Sequence, residues 1–168
     1  MLDDQALMEA LNSTPVVEGR RRDLWHEDHE LDGWAREHGG HGGDEERRWL
    51  RTARDALQAM ESGTGAESRL RRVLAGVRRT PEPSAMGIEW RLEVAPERRL
   101  AVELVLAWAD VTERMPGRLR PCENPECRLF LLDRSRANTA RWCSMKTCGN
   151  RLKARRHQAR ARETPQPD

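Results

Sequence analysis

The sequence of 168 residues is poor in several residue types. It contains no tyrosine, one phenylalanine, four cysteines and two lysines, Lys146 and Lys153. Its longest apolar run, residues 104–109, is far shorter than the roughly 20 residues that a membrane-spanning helix needs. The N-terminal residues are acidic and lack the apolar segment of a signal peptide. We therefore expect a cytoplasmic protein that has no membrane-spanning segment.

Patterns typical of enzymes are also missing. The chain has no P-loop, no dinucleotide-binding fingerprint and no recognisable Ser/His/Asp set. The tract over residues 26–30 differs from H-E-x-x-H because its second histidine comes one residue too early. With His38 and His41 nearby, a second metal or ligand site stays open, although a polar helix start and a solvated loop explain these residues better. An enzymatic alternative would need His26, His29 and Asn12 to line one pocket, and we expect no catalytic activity.

Charge is divided unevenly along the chain. Residues 1–117 include 17 basic and 23 acidic residues, whereas residues 118–162 include 13 basic and 3 acidic residues. A basic segment beside an acidic body is typical of a part that faces a polyanion. Pro116-Gly117 separates the two parts, so we place a domain boundary there. This division gives a domain over 1–117, a second over 118–162 and a disordered tail over 163–168.

Hydrophobic periodicity predicts a mainly α protein, with a multihelical N-terminal domain and a small β element. Helices are expected over 4–11, 27–38, 44–62, 66–79 and 96–115. Apolar residues that alternate with charged ones predict a strand over 88–94, and Val16-Val17 is expected to be extended. Pro81 and Pro83 are expected to break the chain before that strand.

The four cysteines form two close pairs in the basic segment. Cys122 and Cys127 are separated by four residues, as are Cys143 and Cys148, and fifteen residues separate the pairs. In a reducing compartment this clustering favours metal ligation over disulfides. Four thiolates can converge tetrahedrally on one ion, with Zn²⁺ the default metal and iron the main alternative. Such a closed shell leaves no coordination position open for catalysis.

The residues around the cysteines predict a ββα-like finger. Leu129–Leu132 should form a strand, and Ser144 should cap a final helix that carries the last cysteine in its first turns. Helical spacing places one apolar stripe on the metal core: Met145, Cys148, Leu152 and Ala159. Trp142 is expected to support the site rather than to stack on a base.

The final helix is basic on both sides of that stripe. Its predicted nucleic-acid contacts are Lys146, Arg151, Lys153, Arg155, Arg156 and Arg160. Further arginines are expected to extend the basic surface: Arg118, Arg120, Arg128, Arg134, Arg136 and Arg141. Like charges four residues apart destabilise a helix, so a polyanion would relieve their repulsion. Guanidinium groups suit phosphate, and the alternative is a merely solvated helix.

Several of these residues carry a resemblance to known families. Phe130, Asp133, Ser135, Arg136, residues 141–145 and Cys148-Gly149-Asn150-Arg151 resemble the CGNR zinc finger. The likeness spans about 120–156 and implies that the four cysteines are zinc ligands and that Arg151 and the basic residues after it contact DNA. Gly149 would allow a close approach of another segment, and Asn150 and Arg151 would serve either the metal site or DNA.

The N-terminal part resembles the ABATE domain, which precedes this finger in stress-induced transcription regulators. The likeness rests on Leu11-Asn12-Ser13-Thr14, on the helix end over 34–39 and on the late apolar helix. It implies a largely helical domain. We therefore expect a DNA-binding transcription regulator whose helical domain senses a small-molecule effector or mediates self-association as a homodimer. The alternative is a non-catalytic interaction protein whose zinc module binds RNA or an acidic protein.

Overall fold

The computed structural model describes residues 1–150, 153 and 154. In this part of the chain the helices are α1 (Asp4–Leu11), α2 (Asp28–Glu37), α3 (Asp44–Glu61), α4 (Glu67–Val73) and α5 (Pro96–Arg114). The strands are β1 (Val16–Val17), β2 (Arg20–Arg21), β3 (Arg78–Ser84), β4 (Gly87–Glu93), β5 (Leu119–Pro121) and β6 (Phe130–Leu132). A π-helical turn spans Met145–Gly149. No helix of the described residues has the length and apolar character needed to cross a membrane.

The core lies between α3 and α5, with α1, α2 and α4 packed around them. The α3 helix buries Leu50, Ala53 and Leu57 along one stripe, and its acidic first turn complements the positive end of the helix dipole. The α5 helix begins with Pro96, which fits a first turn because the N–H there has no partner within the helix. The mainly helical prediction is confirmed.

Each sheet in the described part is an antiparallel pair of neighbouring strands: β1–β2, β3–β4 and β5–β6. The strand expected over 88–94 is β4. The helix expected over 66–79 is shorter than predicted, because α4 ends at Val73 and residues 78–84 form β3. Gly76 makes the turn between them with a φ of +70°, which a glycine adopts without strain.

The connection from α2 to α3 passes close to the core at Gly40. A Cβ there would lie 2.5 Å from Leu100 Cδ1 and 2.7 Å from Glu46 Oε1, so any side chain would have to displace these two buried groups. The buried carboxylate of Glu46 accepts backbone hydrogen bonds from His41 and Gly42, at 3.1 and 2.6 Å. The loop is thereby fixed on the first turn of α3.

The β5–β6 hairpin packs on the helices. Leu119 and Phe130 are buried in the same apolar cluster as the helical residues. Asn12, at the end of α1, accepts a hydrogen bond from the Phe130 N–H at 2.7 Å and donates one to the Phe130 carbonyl at 3.2 Å. One side chain therefore pairs with β6 as a neighbouring strand would. The position of the hairpin relative to α1 is set by this pairing and by the shared core.

Candidate metal centre

The sulfur atoms of the four cysteines converge on one point. All four Sγ atoms lie within 4.8 Å of one another. Cys143 Sγ lies 3.7 Å from Cys127 Sγ and 3.6 Å from Cys148 Sγ. With Zn–S bonds of about 2.3 Å, the corners of a tetrahedral site are about 3.8 Å apart. These separations suit a single ion, and they exceed the S–S bond of about 2.05 Å in a disulfide.

Local structure brings each cysteine to the site. Cys122 follows β5, and its N–H donates to the Leu129 carbonyl at 2.8 Å, which extends the hairpin ladder. Cys127 closes a turn by donating its N–H to the Asn124 carbonyl at 2.8 Å. Cys148 lies in the π-helical turn, which Ser144 caps by accepting a hydrogen bond from the Thr147 N–H. The predicted cap at Ser144 is thus confirmed.

Three N–H groups point at the sulfur atoms. The Leu129 N–H donates to Cys127 Sγ, and the Cys143 N–H donates to Cys122 Sγ, each at 3.4 Å. The Asn124 side-chain amide donates to Cys148 Sγ at 3.4 Å, and Asn124 is only 1 % exposed. Such donors stabilise thiolates and orient metal ligands. Asn124 had no role in the sequence-based prediction, although its place inside the first cysteine pair could have indicated one.

Two of the four thiols resist deprotonation when no cation is near. Burial raises the pKa of Cys127 to about 11, and burial together with the neighbouring thiols raises the pKa of Cys143 above its ordinary value. Burial opposes ionisation of Cys148 too, but the hydrogen bond from Asn124 and the adjacent thiols lower its pKa below the ordinary value. A bound cation would offset the mutual repulsion of four thiolates. The donor set therefore fits a metal ion.

A second polar cluster holds the loop between the two cysteine pairs. The buried carboxylate of Asp133 accepts hydrogen bonds from the N–H groups of Ser135 and Ala140, each at 2.8 Å. Arg120 pairs with the same carboxylate at 2.9 Å and also donates to the Ala140 carbonyl at 2.6 Å. The bonds from Ser135, aided by Ala140 and Arg120, lower the pKa of Asp133 to about 2. This cluster positions the chain that leads to Cys143.

Part of the charge expected on the basic surface is paired within the chain. Four of the six arginines assigned to it have internal partners. Arg118 donates to the carbonyls of Asp133 and Ser135, Arg120 pairs with Asp133, Arg134 pairs with Asp4 at 3.0 Å, and Arg141 pairs with Glu123 at 2.5 Å. Their contacts bind the loops together and attach the hairpin to α1. Charge counting could not reveal this, since the acceptors include carbonyls and a residue distant in sequence.

The predicted nucleic-acid contacts are only partly visible. Lys146 lies exposed in the π-helical turn, and Lys153 is exposed in a helical segment. Arg151, Arg155, Arg156 and Arg160 lie outside the described residues, as do Leu152, Ala159 and the tail predicted over 163–168.

Four residues near the last cysteine bear on the motif. A Cβ on Gly149 would lie 3.0 Å from Met145 Sδ and 3.2 Å from Trp142 Cδ1, so its neighbours leave little room for a side chain. Trp142 therefore packs beside the turn that carries Cys148, as a supporting residue would. Met145 is 55 % exposed, so the prediction that it lies on the buried stripe is wrong. Asn150 is exposed at the end of the turn.

The histidines of the N-terminal part do not gather around a metal site. The ring of His38 stacks on Trp34 with centroids 4.3 Å apart, and its Nδ1 lies 2.8 Å from the Trp34 carbonyl. Among the described residues, the four cysteines are the one group of three or more His, Cys, Asp or Glu that converges on a metal-sized space.

Comparison with known families agrees with this geometry. Residues 118–161 match the family model of the CGNR zinc finger. The match includes all four converging cysteines, and it confirms the resemblance of this segment. No curated protein shows significant sequence similarity to the chain. Residues 118–161 are thus similar to a CGNR zinc finger, and they contain a cysteine cluster suited to a metal ion.

Proposed function

We propose that the chain is a DNA-binding transcription regulator in which one Zn²⁺ organises residues 118–162 into a ββα-like finger. Four convergent sulfur atoms carry this proposal, together with the CGNR match. The ligands in this proposal are Cys122, Cys127, Cys143 and Cys148. Zn²⁺ is preferred to an iron–sulfur cluster because cysteines that bind the separate irons of a cluster lie farther apart than these.

Four protein ligands complete a tetrahedral shell, so the metal serves structure rather than catalysis. It would anchor the turn with Lys146 and the helical residues after it. Residues 118–162 carry a net charge of +10. Several of the arginines in this segment hold loops, so the remaining charge is concentrated towards its C-terminal end. A polyanionic partner matches that arrangement, and DNA is the partner that the CGNR resemblance favours.

The salt dependence of duplex binding tests the proposal. The zinc-loaded chain should bind duplex DNA with an affinity that falls steeply as salt rises, by about 0.9 log units per log unit of salt for each phosphate contact. Lys146→Ala and Arg155→Ala should each reduce the magnitude of this slope by about 0.9, the contribution of one phosphate contact. Arg48→Ala is the matched control, because Arg48 is an exposed arginine of α3 that pairs with Glu45 and lies outside residues 118–162. Absence of binding at low salt, or stronger binding to RNA or an acidic protein, would contradict the proposal.

In this proposal residues 1–117 form an ABATE-like domain that senses an effector or mediates self-association. A cleft of about 340 Å³ supports the sensing role, at the place where the helices meet the finger. Arg21, Arg69 and Arg128 line it from three separate segments. Its one acidic residue, Asp55, is paired with Arg54 at 2.9 Å. The cleft therefore suits a small anionic effector.

Binding of an anion should raise the melting temperature of the protein by mass action. Inorganic phosphate is a suitable first probe. The shift should be lost in Arg69→Ala and kept in Arg36→Ala, which changes an exposed arginine on α2. An equal shift in both variants would show a general salt effect and contradict an effector site here.

A further inference from the structure

The β3–β4 hairpin has one apolar face that the helices leave uncovered. Ile88, Trp90 and Leu92 of β4 lie on this face. On β3, Pro83 lies opposite Ile88 and Pro81 lies opposite Trp90. Leu92, at the base, packs against the core. Farther out, Ile88 is 60 % exposed and Trp90 is 59 % exposed. Isolated two-stranded hairpins are marginally stable in water. The exposed apolar face and the unpaired outer edge of β4 therefore indicate a site where a partner binds.

The outer edges of β3 and β4 differ in their capacity to pair with a further strand. Proline has no N–H, so Pro81 and Pro83 must occupy positions whose nitrogens point away from β4. They block the outer edge of β3 against another strand. By the alternation of antiparallel ladders, Ile88, Trp90 and Leu92 direct their backbone groups to the outer edge of β4. Within the described part of the chain, no strand or loop pairs with that edge.

Charges on the opposite face of the hairpin leave one position unbalanced. Glu82 and Glu89 lie directly opposite each other, which is unfavourable for like charges. Arg91 pairs with Glu82 at 2.7 Å. No basic residue of the described part pairs with Glu89. A partner strand that places a cation beside Glu89 would therefore be favoured.

We infer that two copies of the chain associate through the outer edges of β4, antiparallel and centred on Trp90. Around that centre the segment Ile88-Glu89-Trp90-Arg91-Leu92 is complementary to itself. Glu89 of each copy faces Arg91 of the other, and Trp90 faces Trp90. If the two strands paired symmetrically about residue 89 or residue 91 instead, Glu89 would lie opposite Glu89 or Arg91 opposite Arg91. The charges thus select one register out of these three.

The apolar face supports the same pairing. In this register Ile88 of the second copy lies beside Leu92. A cavity of about 240 Å³ opens there, with four apolar residues on one side, Met1, Trp90, Leu92 and Leu106, and four charged ones, Arg79, Arg91, Arg99 and Glu103. Ile88 of the second copy would contact the apolar side and lose part of its contact with water. The two hairpins would form a four-stranded sheet whose outer strands carry the prolines, so assembly stops at the dimer.

This inference specifies the self-association role in the proposed function, and it can be tested without DNA. The mass of the zinc-loaded full chain is measured by sedimentation equilibrium. We expect a dimer, with twice the chain mass of 19.4 kDa. Glu89→Arg and Arg91→Glu should each weaken association at least tenfold, because each places like charges opposite each other. Arg78→Glu, on β3, is the matched charge-reversal control and should leave the dimer intact.

Mixing the two weakened variants gives the decisive measurement. The Glu89→Arg variant has basic residues at positions 89 and 91, and the Arg91→Glu variant has acidic residues at both. Neither variant should pair well with itself, but an equal mixture of the two should form a heterodimer. A destabilised hairpin could not produce that recovery. A monomeric wild-type chain, a dimer unaffected by either reversal, or a mixture without heterodimer would overturn the inference. Loss of DNA binding in an intact dimer would count against the proposed function alone.

Discussion

Replacing Asn12 with alanine should loosen the attachment of the finger to the helices. The substitution removes both hydrogen bonds to the Phe130 backbone and leaves its N–H and carbonyl without partners. Phe130 is 4 % exposed, so water would replace these bonds poorly. An unsatisfied buried group costs about 1–3 kcal/mol, and carbonyls tolerate it better than N–H groups. We expect a loss of about 3 kcal/mol, which lowers the melting temperature by about 6–12 °C in a chain of this size.

Denaturant unfolding of the zinc-loaded protein, followed by circular dichroism, measures this loss. Release of the metal to a coloured chelator, followed in parallel, should be faster in Asn12→Ala. Gln5→Ala is the control on the same helix: it removes an exposed hydrogen bond to Glu9 and should change stability by less than about 0.5 kcal/mol. Equal stabilities of the two variants would refute the argument that Asn12 acts as a strand-like partner of β6.

Three further predictions concern the metal and the buried charges. Chelation should unfold the finger, seen as loss of its amide protection in hydrogen exchange, and lower pH should release the metal because protons compete for the thiolates. The pKa of Asp133 is lowered from 3.8 to about 2, so its stabilisation should be complete above pH 4 and decline towards pH 2. Asp133→Asn should abolish that part of the pH dependence in acid-unfolding curves. Arg54→Met should cost about 2–3 kcal/mol in denaturant unfolding, since it removes two charged hydrogen bonds to Asp23.

The sequence carried enough information for the helices and the cysteine cluster. A buried stripe with a period of 3.6 residues defines α3 without reference to other elements, and cysteine spacing alone indicates convergence. The sequence does not predict strand β3, because Pro81 and Pro83 are typical of chain breaks. They are tolerated since their nitrogens face an open edge, a fact that depends on the pairing with β4.

Side-chain partners were the least predictable part of the site. Arg134 pairs with Asp4, 130 residues away, and Asn12 pairs with Phe130, 118 residues away. Both contacts depend on how α1 meets β6, which no local pattern specifies. Arg118 and Arg120 bind carbonyls and a buried carboxylate within the finger itself. Net charge counts such arginines as surface, although their guanidinium groups are engaged internally.

The attachment of the finger has a consequence for how a dimer would bind DNA. Because Phe130 lies in the helical core and Asn12 fixes its backbone, the turn with Lys146 keeps a set orientation relative to β4. A β4-paired dimer would then present two fingers related by a two-fold axis, which suits a palindromic site with a fixed separation between its halves. Glu89→Arg should therefore weaken binding to the palindrome while leaving binding to a single half-site unchanged. Asn12→Ala should instead relax the dependence on half-site separation, since it loosens the attachment of the finger without changing the edge of β4.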